Sequence, residues 1–376
     1  MSRPLAGAAG RHVVLVSGHH LASERRAGFH HLAFAYRRLG WRVTFVTVGM
    51  SPLSYLRPDH RRRSFRLRDR NRRVELSDGM TSYVWFTPWH PSDTRTSWGN
   101  ALTMPLFRRF GRLRFRDLPS LMAGASLVII ESTYSLFLAN RLRAMVPDAR
   151  LVYRQSDDLD ALRAHPALHE AESRALDAFD LVSVPEARRL ERFGNRPQAR
   201  VHHHGVEKGL FDDPGPSPYR ALGFDVNAVF VGVDGLDEAS LRCGAARLPR
   251  WGFHLVGPWE ASGLPGNVVV HGEMPFAATA PFVTHADVGL HTIVRPRADL
   301  FRESLKVLQY TYCRLPIVAE ESAAAPWPHV FSYSHARPES IVGACLTAHA
   351  FPREQVPRED IRSWEGLALD LAGTSG

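Results

Sequence analysis

Short apolar runs alternate with stretches of helical periodicity along this chain, and the alternation predicts an α/β protein. In the first half, the runs at 13–16, 43–48, 127–130 and 151–153 read as buried strands, and the stretches 22–40 and 133–146 between them read as helices. The second half repeats the pattern, with strands expected at 228–233, 253–258, 267–273, 288–293 and 316–321. Strands that alternate with helices in this way are typical of parallel sheets covered by helices.

The domain organisation follows from length and from one linker-like segment. A chain of 376 residues suggests two domains, at roughly 100–200 residues each, and Asp213–Tyr219 (DPGPSPY) is the stretch richest in proline and glycine. We predict a Rossmann-like domain over 1–205, a second over 206–355, and a terminal helix within 356–376 that packs back on the first domain through Trp364. Two such domains would place a ligand in the cleft between them. A G-x-G-x-x-G sequence does not follow the first strand, so a dinucleotide fingerprint is absent.

The net charge of +9 is concentrated in two segments. Residues 57–73 hold nine arginines against two aspartates, and residues 107–116 hold five arginines interleaved with three phenylalanines. Such segments suit an anionic membrane surface, although a solvated arginine-rich loop explains them equally well. Nucleic acid is disfavoured because no nucleic-acid-binding motif is present. The candidate membrane patch comprises Arg61, Arg62, Arg63, Arg66, Arg108, Arg109, Arg112 and Phe115.

Other features of the sequence indicate where the protein works. No apolar run approaches the roughly 20 residues of a membrane span, and the first run is too short for a secretory leader. The three cysteines, Cys243, Cys313 and Cys345, are scattered and fit a reducing compartment. We therefore expect a cytoplasmic protein, peripheral on the inner face of the cell membrane.

Lys306 is the strongest single candidate for a binding residue. The chain contains 47 basic residues, of which only Lys208 and Lys306 are lysines, so a lysine here indicates a need for a compact point charge. Leu305, Leu308 and Tyr312 predict the buried face of a helix, while Lys306 and Gln309 share another face. A cation and an amide in this arrangement suit a diphosphate. The alternative is a solvated surface lysine.

Asp157 is the candidate general base. It follows an apolar strand and precedes an expected helix, and the carboxyl ends of strands are where open α/β sheets place catalytic groups. The alternative is a helix N-cap. Asp158 and Asp160 form a D-x-D string, but a helix would direct the two side chains apart, so no metal site is predicted. His202–His204 lies on strand-like chain and indicates a domain junction rather than a metal site.

Further candidates follow other strands. Gly232 and Asp234 come after one strand of the second half, and Glu273 and Met274 after another, where a carboxylate could accept hydrogen bonds from ribose hydroxyls. Together with the helix around Lys306, they give a predicted donor site that comprises Gly232, Asp234, Glu273, Met274, Ser304, Leu305, Lys306 and Gln309. The predicted acceptor side comprises His19, His20, Arg25 and Arg26.

An ordered series of segments resembles the GumK-type glucuronosyltransferases of xanthan assembly (glycosyltransferase family 70). The series runs from about Val13 to about Pro316 and includes SGHHLASERRAGFHH, YVWFTPWHP, LVYRQSDDL, HHHGVE, NVVVHGEM, SLKVLQY and RLPIV. The resemblance implies the GT-B fold, with two Rossmann-like domains. It also implies inverting, metal-independent transfer of glucuronate from UDP-glucuronate to a polyprenyl-diphosphate oligosaccharide, with no further cofactor. The family's base falls on Asp157, its donor-binding Glu-Met pair on Glu273 and Met274, and its helix Lys and Gln on Lys306 and Gln309.

Departures from the family pattern lie on the nucleotide side, near Asp234, at Ile293 and at Leu305, and they bear on the donor more than on the reaction class. Two other functions compete with this interpretation. A nucleotide-sugar epimerase of the same fold would leave the basic aromatic segments unexplained. A non-catalytic carbohydrate-binding or membrane-binding protein would leave the match around Asp157 and Lys306 unexplained.

Overall fold

The computed structural model describes residues 11–374, apart from 24, 57–63, 78, 161, 195 and 295–303. The chain forms two compact units. The first contains the chain up to His203 and the segment from Trp364 onward, and the second runs from His204 to Ser363. The first unit boundary therefore falls within the His202–His204 run.

The first unit is built on a parallel sheet. In the described part of this unit the strand order is β3-β4-β2-β1-β5-β6-β7-β8, and only β3 is antiparallel to its neighbour. The apolar runs form the central strands because they are buried on both faces, and residues 13–16 are at most 1% exposed. The strands are β1 (His12–Ser17), β2 (Arg42–Met50), β3 (Arg73–Ser77), β4 (Met80–Phe86), β5 (Leu127–Glu131), β6 (Arg150–Arg154), β7 (Leu181–Val184) and β8 (Ala199–Val201). The helices are α1 (Gly28–Arg38), α2 (Ser97–Phe107), α3 (Leu118–Met122), α4 (Ala139–Met145) and α5 (Pro166–Ala175).

The second unit contains a fully parallel sheet among its described residues, in the order β11-β10-β9-β12-β13-β14. Numbered from its own first strand, this order is 3-2-1-4-5-6, that of a Rossmann fold. Its strands are β9 (Val226–Val231), β10 (Trp251–Val256), β11 (Val268–Gly272), β12 (Val288–His291), β13 (Ile317–Glu320) and β14 (Val330–Tyr333). Its helices are α6 (Lys208–Asp212), α7 (Glu238–Arg247), α8 (Ala280–Thr284), α9 (Leu305–Tyr312) and α10 (Ser340–Ala350).

The last helix, α11 (Trp364–Ala372), belongs to the first unit. The Tyr36 hydroxyl donates to the Ala368 carbonyl at 2.8 Å, and the rings of His31 and Trp364 stack at 5.1 Å. The chain leaves the second unit after Ser363, beyond the predicted boundary at 355, because Val356 and Ile361 are buried in that unit, at 1% and 7% exposure.

Candidate functional site

In the second unit, Lys306 lies at the carboxyl end of β9, where the strand order reverses between β9 and β12. Its ammonium nitrogen is 4.0 Å from the centre of the Phe230 ring, within the range of a cation–π contact. Ligands of open α/β sheets bind at this switch point. The structure thus places one of the chain's two lysines where a bound anion is expected.

Gly232 lies next to this lysine and leaves room for it because glycine has no side chain. A Cβ atom at this position would lie 2.7 Å from Lys306 Nζ and 3.0 Å from the Phe230 ring. The Gly232 carbonyl accepts a hydrogen bond from Trp259 Nε1 at 3.0 Å, and the Trp259 ring meets Phe230 edge-on at 5.7 Å. Gly257 also contacts Gly232, since a Cβ atom at position 257 would lie 2.0 Å from the Gly232 carbonyl oxygen. Gly257 is required because a Cβ atom there would meet backbone, whereas a Cβ atom at position 232 would displace the flexible end of Lys306.

Sequence reasoning missed Phe230, Trp259 and Gly257. The available sequence signal for these residues was the segment LVGPW, in which the next apolar run along the chain also ends in glycine, as the run before Gly232 does. Without the sheet order, nothing in the sequence showed that these two strand ends are neighbours.

Helix α9 is buried more completely than predicted. Every residue from Val307 to Tyr312 is buried, whereas Leu305 is only half-buried. The Tyr310 hydroxyl accepts from the Val231 N–H at 3.1 Å and donates to the Val229 carbonyl at 3.2 Å, which fixes the helix against β9. At the N-cap, Ser304 Oγ is buried and has no hydrogen-bond partner in the described part of the chain. A hydroxyl and an ammonium group in the first turn suit an anion at this helix terminus.

The remaining predicted donor residues occupy the ends of two strands separated by β10. Asp234 is exposed in the loop after β9, and Glu273 is exposed after Gly272, the last residue of β11. Met274 packs against the core of the unit, and Ile293 lies beneath Gly235, where an added Cβ atom would be 3.1 Å from the isoleucine side chain. Gln309 is 8% exposed in the middle of α9. The donor-binding roles of these residues remain predictions.

In the first unit, Asp157 lies in a half-buried turn after β6, and its backbone N–H donates to Ser132 Oγ at 3.1 Å. The helix expected directly after it is absent from the described residues. The next helix is α5, which begins at Pro166 and is capped by His165. The N-cap interpretation of Asp157 is therefore wrong, because a proline at the first helical position sets the start of the helix well beyond it.

The D-x-D string also differs from its prediction. Because no helix forms there, the two carboxylates do not diverge but meet the same guanidinium: Arg192 Nη1 lies 3.9 Å from Asp158 and 2.9 Å from Asp160. Asp158 additionally accepts from the Asp160 N–H at 2.8 Å. Among the described residues, no group of three or more His, Cys, Asp or Glu side chains is placed to hold a metal ion.

Glu131 is a site residue that sequence reasoning missed. It ends β5, next to β1 at the switch point of the first sheet, and is 1% exposed. Its carboxylate accepts from the Ser17 hydroxyl and from the Gly18 N–H at 3.2 Å, and lies 3.5 Å from His19 Nε2. Burial alone would raise the pKa of Glu131, but the charge and hydrogen bond of His19, together with the other donors, hold it below its usual value. A carboxylate at the end of the run LVIIE was the available signal.

The other predicted acceptor-side residues lie in the loop after β1. His20 is 7% exposed, its Nδ1 is 3.0 Å from Ser64 Oγ, and its ring packs edge-on against Phe65. This setting fits packing more than ligand contact. Arg25 and Arg26 are exposed, and the Arg26 guanidinium covers the Phe34 ring at 4.4 Å. Their role toward an acceptor stays a prediction.

The phenylalanines of the basic segment are interior. Phe115, predicted to face a membrane, is 3% exposed, and its ring stacks on Trp85 of β4 at 4.7 Å. The prediction that Phe115 faces a membrane is therefore wrong. The phenylalanine rings of this segment pack in the core against Trp85 of β4 and Trp89 of the loop that follows it. Arg66, Arg108, Arg109 and Arg112 are exposed, whereas Arg61, Arg62 and Arg63 lie outside the described residues. No helix in the described ranges has the length and apolar character needed to cross a bilayer.

Comparisons with known proteins agree with this architecture. Residues 15–185 match the family model described as glucuronosyltransferase GumK, N-terminal domain. Over 346 residues the chain is 27% identical to the UDP-glucuronate:glycolipid 2-beta-glucuronosyltransferase of Xanthomonas campestris pv. campestris, and the match covers 90% of this chain and 84% of that protein. Among solved structures, the trehalose-6-phosphate synthase OtsA matches with a TM-score of 0.60 at 13% identity, covering 96% of this chain and 95% of that one. The N-terminal domain of Candida albicans trehalose-6-phosphate phosphatase matches with a TM-score of 0.62 at 12% identity, covering 100% and 99%.

Two Rossmann-like units of this kind are characteristic of the GT-B fold, so the predicted fold class is confirmed. Within that class, the chain is similar to the GumK-type glucuronosyltransferases, so the resemblance predicted from the sequence is confirmed. The prediction of an enzyme is thereby confirmed.

Proposed function

We propose that this enzyme transfers glucuronate from UDP-glucuronate to a polyprenyl-diphosphate-linked oligosaccharide in exopolysaccharide biosynthesis. The observation that carries the proposal is Lys306, held over Phe230 at the switch point of the second unit, in a chain similar over nine-tenths of its length to a glucuronosyltransferase. The transfer inverts the anomeric configuration in a single displacement and needs no metal ion.

The chemistry divides between two kinds of group. The acceptor hydroxyl attacks the anomeric carbon and loses its proton to the Asp157 carboxylate, while the bond from that carbon to the diphosphate breaks and UDP leaves. The Lys306 ammonium and the N-terminus of α9 stabilise the negative charge that develops on the diphosphate. Protein cations thus supply what a divalent metal supplies elsewhere, which supports a metal-independent reaction.

A transfer assay tests this function directly. With UDP-glucuronate and a polyprenyl-diphosphate oligosaccharide, we expect release of UDP that depends on the acceptor and is unchanged by excess EDTA. The product should carry glucuronate in the β configuration by NMR. Conversion of the nucleotide sugar without UDP release would indicate an epimerase instead, and a strict requirement for Mg²⁺ or Mn²⁺ would contradict the proposed mechanism.

The proposed membrane contact is centred on α2 rather than on the buried phenylalanines. Trp98, Leu102 and Leu106 recur every fourth residue along this helix and are 72%, 74% and 46% exposed. Such spacing puts the three side chains on one face. The exposed Arg108, Arg109 and Arg112 follow directly, and an apolar stripe beside arginines is the pattern of a helix that lies in the membrane interface.

Vesicle binding measures this contact. We expect the triple variant Trp98→Ser, Leu102→Ser, Leu106→Ser to lose at least about tenfold in affinity for vesicles that contain anionic lipid, because it removes the side chains that enter the acyl boundary. Salt should weaken wild-type binding, since basic residues near such a surface contribute about 1 kcal/mol each. Leu346→Ser is the matched control, because Leu346 is an apolar residue of α10 that is 51% exposed. Equal vesicle binding by the triple variant and wild type would refute this orientation.

A further inference from the structure

A cavity of about 870 Å³ lies within the first unit, next to the candidate base. It is open to solvent on one side and is lined by the loop before α2, the first turn of α2, the turn after β5 and the segment before α5. Ser132, which accepts the hydrogen bond of the Asp157 N–H, forms part of its wall. The volume falls within the roughly 300–1,000 Å³ typical of small-molecule sites.

The polar groups of the wall are held in place by one another. Asn100 Oδ1 accepts from the Thr94 N–H at 2.9 Å, and its Nδ2 donates to Asp93 Oδ1 at 2.7 Å. This hydrogen bond is the main cause that lowers the pKa of Asp93, so its carboxylate is ionised at neutral pH. His165 Nδ1 accepts from the Ala167 N–H at 3.1 Å, and burial lowers its pKa, so the imidazole is neutral. The wall therefore presents fixed acceptors and donors rather than a solvated loop.

Two arginines on the cavity wall adopt a backbone conformation that side chains other than glycine rarely take. The φ angles of Arg95 and Arg163 are 63° and 49°. Among the described residues the other non-glycine positions with positive φ are Asn71 and Arg314, so two of these four positions line a single cavity. Backbone strain of this kind concentrates at ligand-binding sites, and both arginines are exposed.

We propose that this cavity is the subsite that holds a neutral sugar residue of the acceptor, with the guanidinium groups of Arg95 and Arg163 and the carboxylate of Asp93 bound to its hydroxyls. Forked donors and a two-oxygen acceptor match vicinal hydroxyl groups, and the Tyr134 ring and Leu168 supply apolar wall for the face of the sugar. Asp93 can only accept hydrogen bonds, and sugar hydroxyls can donate to it whereas a fully ionised anion cannot. This assignment rests on the proposed function.

The position of the cavity supports a lipid-linked acceptor. Helix α2 contributes Asn100 to the cavity wall, and the same helix carries Trp98, Leu102 and Leu106 on its exposed face. One helix therefore connects the proposed membrane surface with the proposed sugar subsite. We expect a glycolipid anchored at that surface to extend its saccharide into the cavity, where Ser132 accepts the hydrogen bond of the Asp157 N–H.

Kinetics of two single variants test the subsite. We expect Arg95→Asn and Arg163→Asn each to raise the KM for the glycolipid acceptor about tenfold, with the KM for UDP-glucuronate and the melting temperature unchanged. Asparagine is chosen because it tolerates positive φ while removing the guanidinium. Arg250→Asn, at an exposed arginine of the second unit, is the control. An unchanged acceptor KM in both variants, with wild type active, would overturn the subsite and leave the proposed function intact.

Direct binding separates the subsite from the reaction itself. Saturation-transfer NMR on the wild-type protein should show contact with methyl glycosides of common hexoses, and the double variant Arg95→Asn, Arg163→Asn should lose it. Inorganic diphosphate should not displace the glycosides. Displacement by diphosphate would show an anion site instead, and absence of any glycoside signal would refute the assignment, whether or not glucuronate transfer is detected.

Discussion

Replacing Asp157 by asparagine is expected to lower kcat by about 10²–10⁴-fold, the usual contribution of a general base. The amide keeps the size of the side chain and leaves the hydrogen bond from the Asp157 N–H to Ser132 Oγ in place, but it cannot accept the proton of the acceptor hydroxyl. The affinity for UDP-glucuronate, measured by titration calorimetry, and the melting temperature should stay at wild-type values. Because Asp157 caps no helix in the described part of the chain, loss of activity in this variant cannot be attributed to unfolding of a helix terminus.

His19 provides the informative control for this experiment. It lies 3.5 Å from the buried Glu131 carboxylate, and such a pairing can orient an imidazole as a base. We expect His19→Ala to lower kcat less than Asp157→Asn does. Full activity of Asp157→Asn together with a large loss in His19→Ala would identify the histidine as the base and Glu131 as its positioning residue.

Replacing Lys306 by alanine is expected to reduce kcat by about 10²–10³-fold, the range seen when one charge-stabilising donor is removed from an active site. We expect this loss because the substitution removes the ammonium group over Phe230, which is proposed to stabilise the departing diphosphate. Lys306→Arg should also be impaired, because the planar guanidinium of arginine is larger than the compact ammonium group and does not fit the space between the Phe230 ring and Gly232 in the same way. Steady-state kinetics with a donor-binding measurement would check both variants.

The chain offers a matched control in its other lysine. Lys208 also lies over an aromatic ring, 5.3 Å from the centre of Tyr312, at the start of α6. Lys208→Ala removes the same charge from a similar contact and should retain activity within about twofold. Gly232→Ala should have a smaller effect than Lys306→Ala, because the added methyl group would shift the flexible end of Lys306 without removing its charge. Equal effects at Lys208 and Lys306 would mean that the charge acts generally and not at the diphosphate.

Much of the architecture was readable from local pattern. Apolar runs such as residues 13–16 and 228–230 formed central strands because a strand covered on both faces must be apolar throughout. The rarity of lysine singled out Lys306, and the end of an apolar strand singled out Asp157. Local pattern failed where a short polar stretch is compatible with either a helix or a series of turns. After Asp157 the pattern predicts a helix, but the described residues before Pro166 are not helical.

Amino-acid sequence by itself determined the α/β class, two parallel-sheet units and the two residues on which the proposed mechanism depends, because periodicity and residue rarity are local properties. Only the tertiary structure decided which strand ends are neighbours. It thereby brought Phe230, Trp259 and Gly257 around Lys306, placed His19 beside Glu131 across β1 and β5, and formed the open cavity beside Ser132. It also buried Phe115 by long-range packing against Trp85, which the residues near Phe115 do not encode, and it left Trp98 exposed.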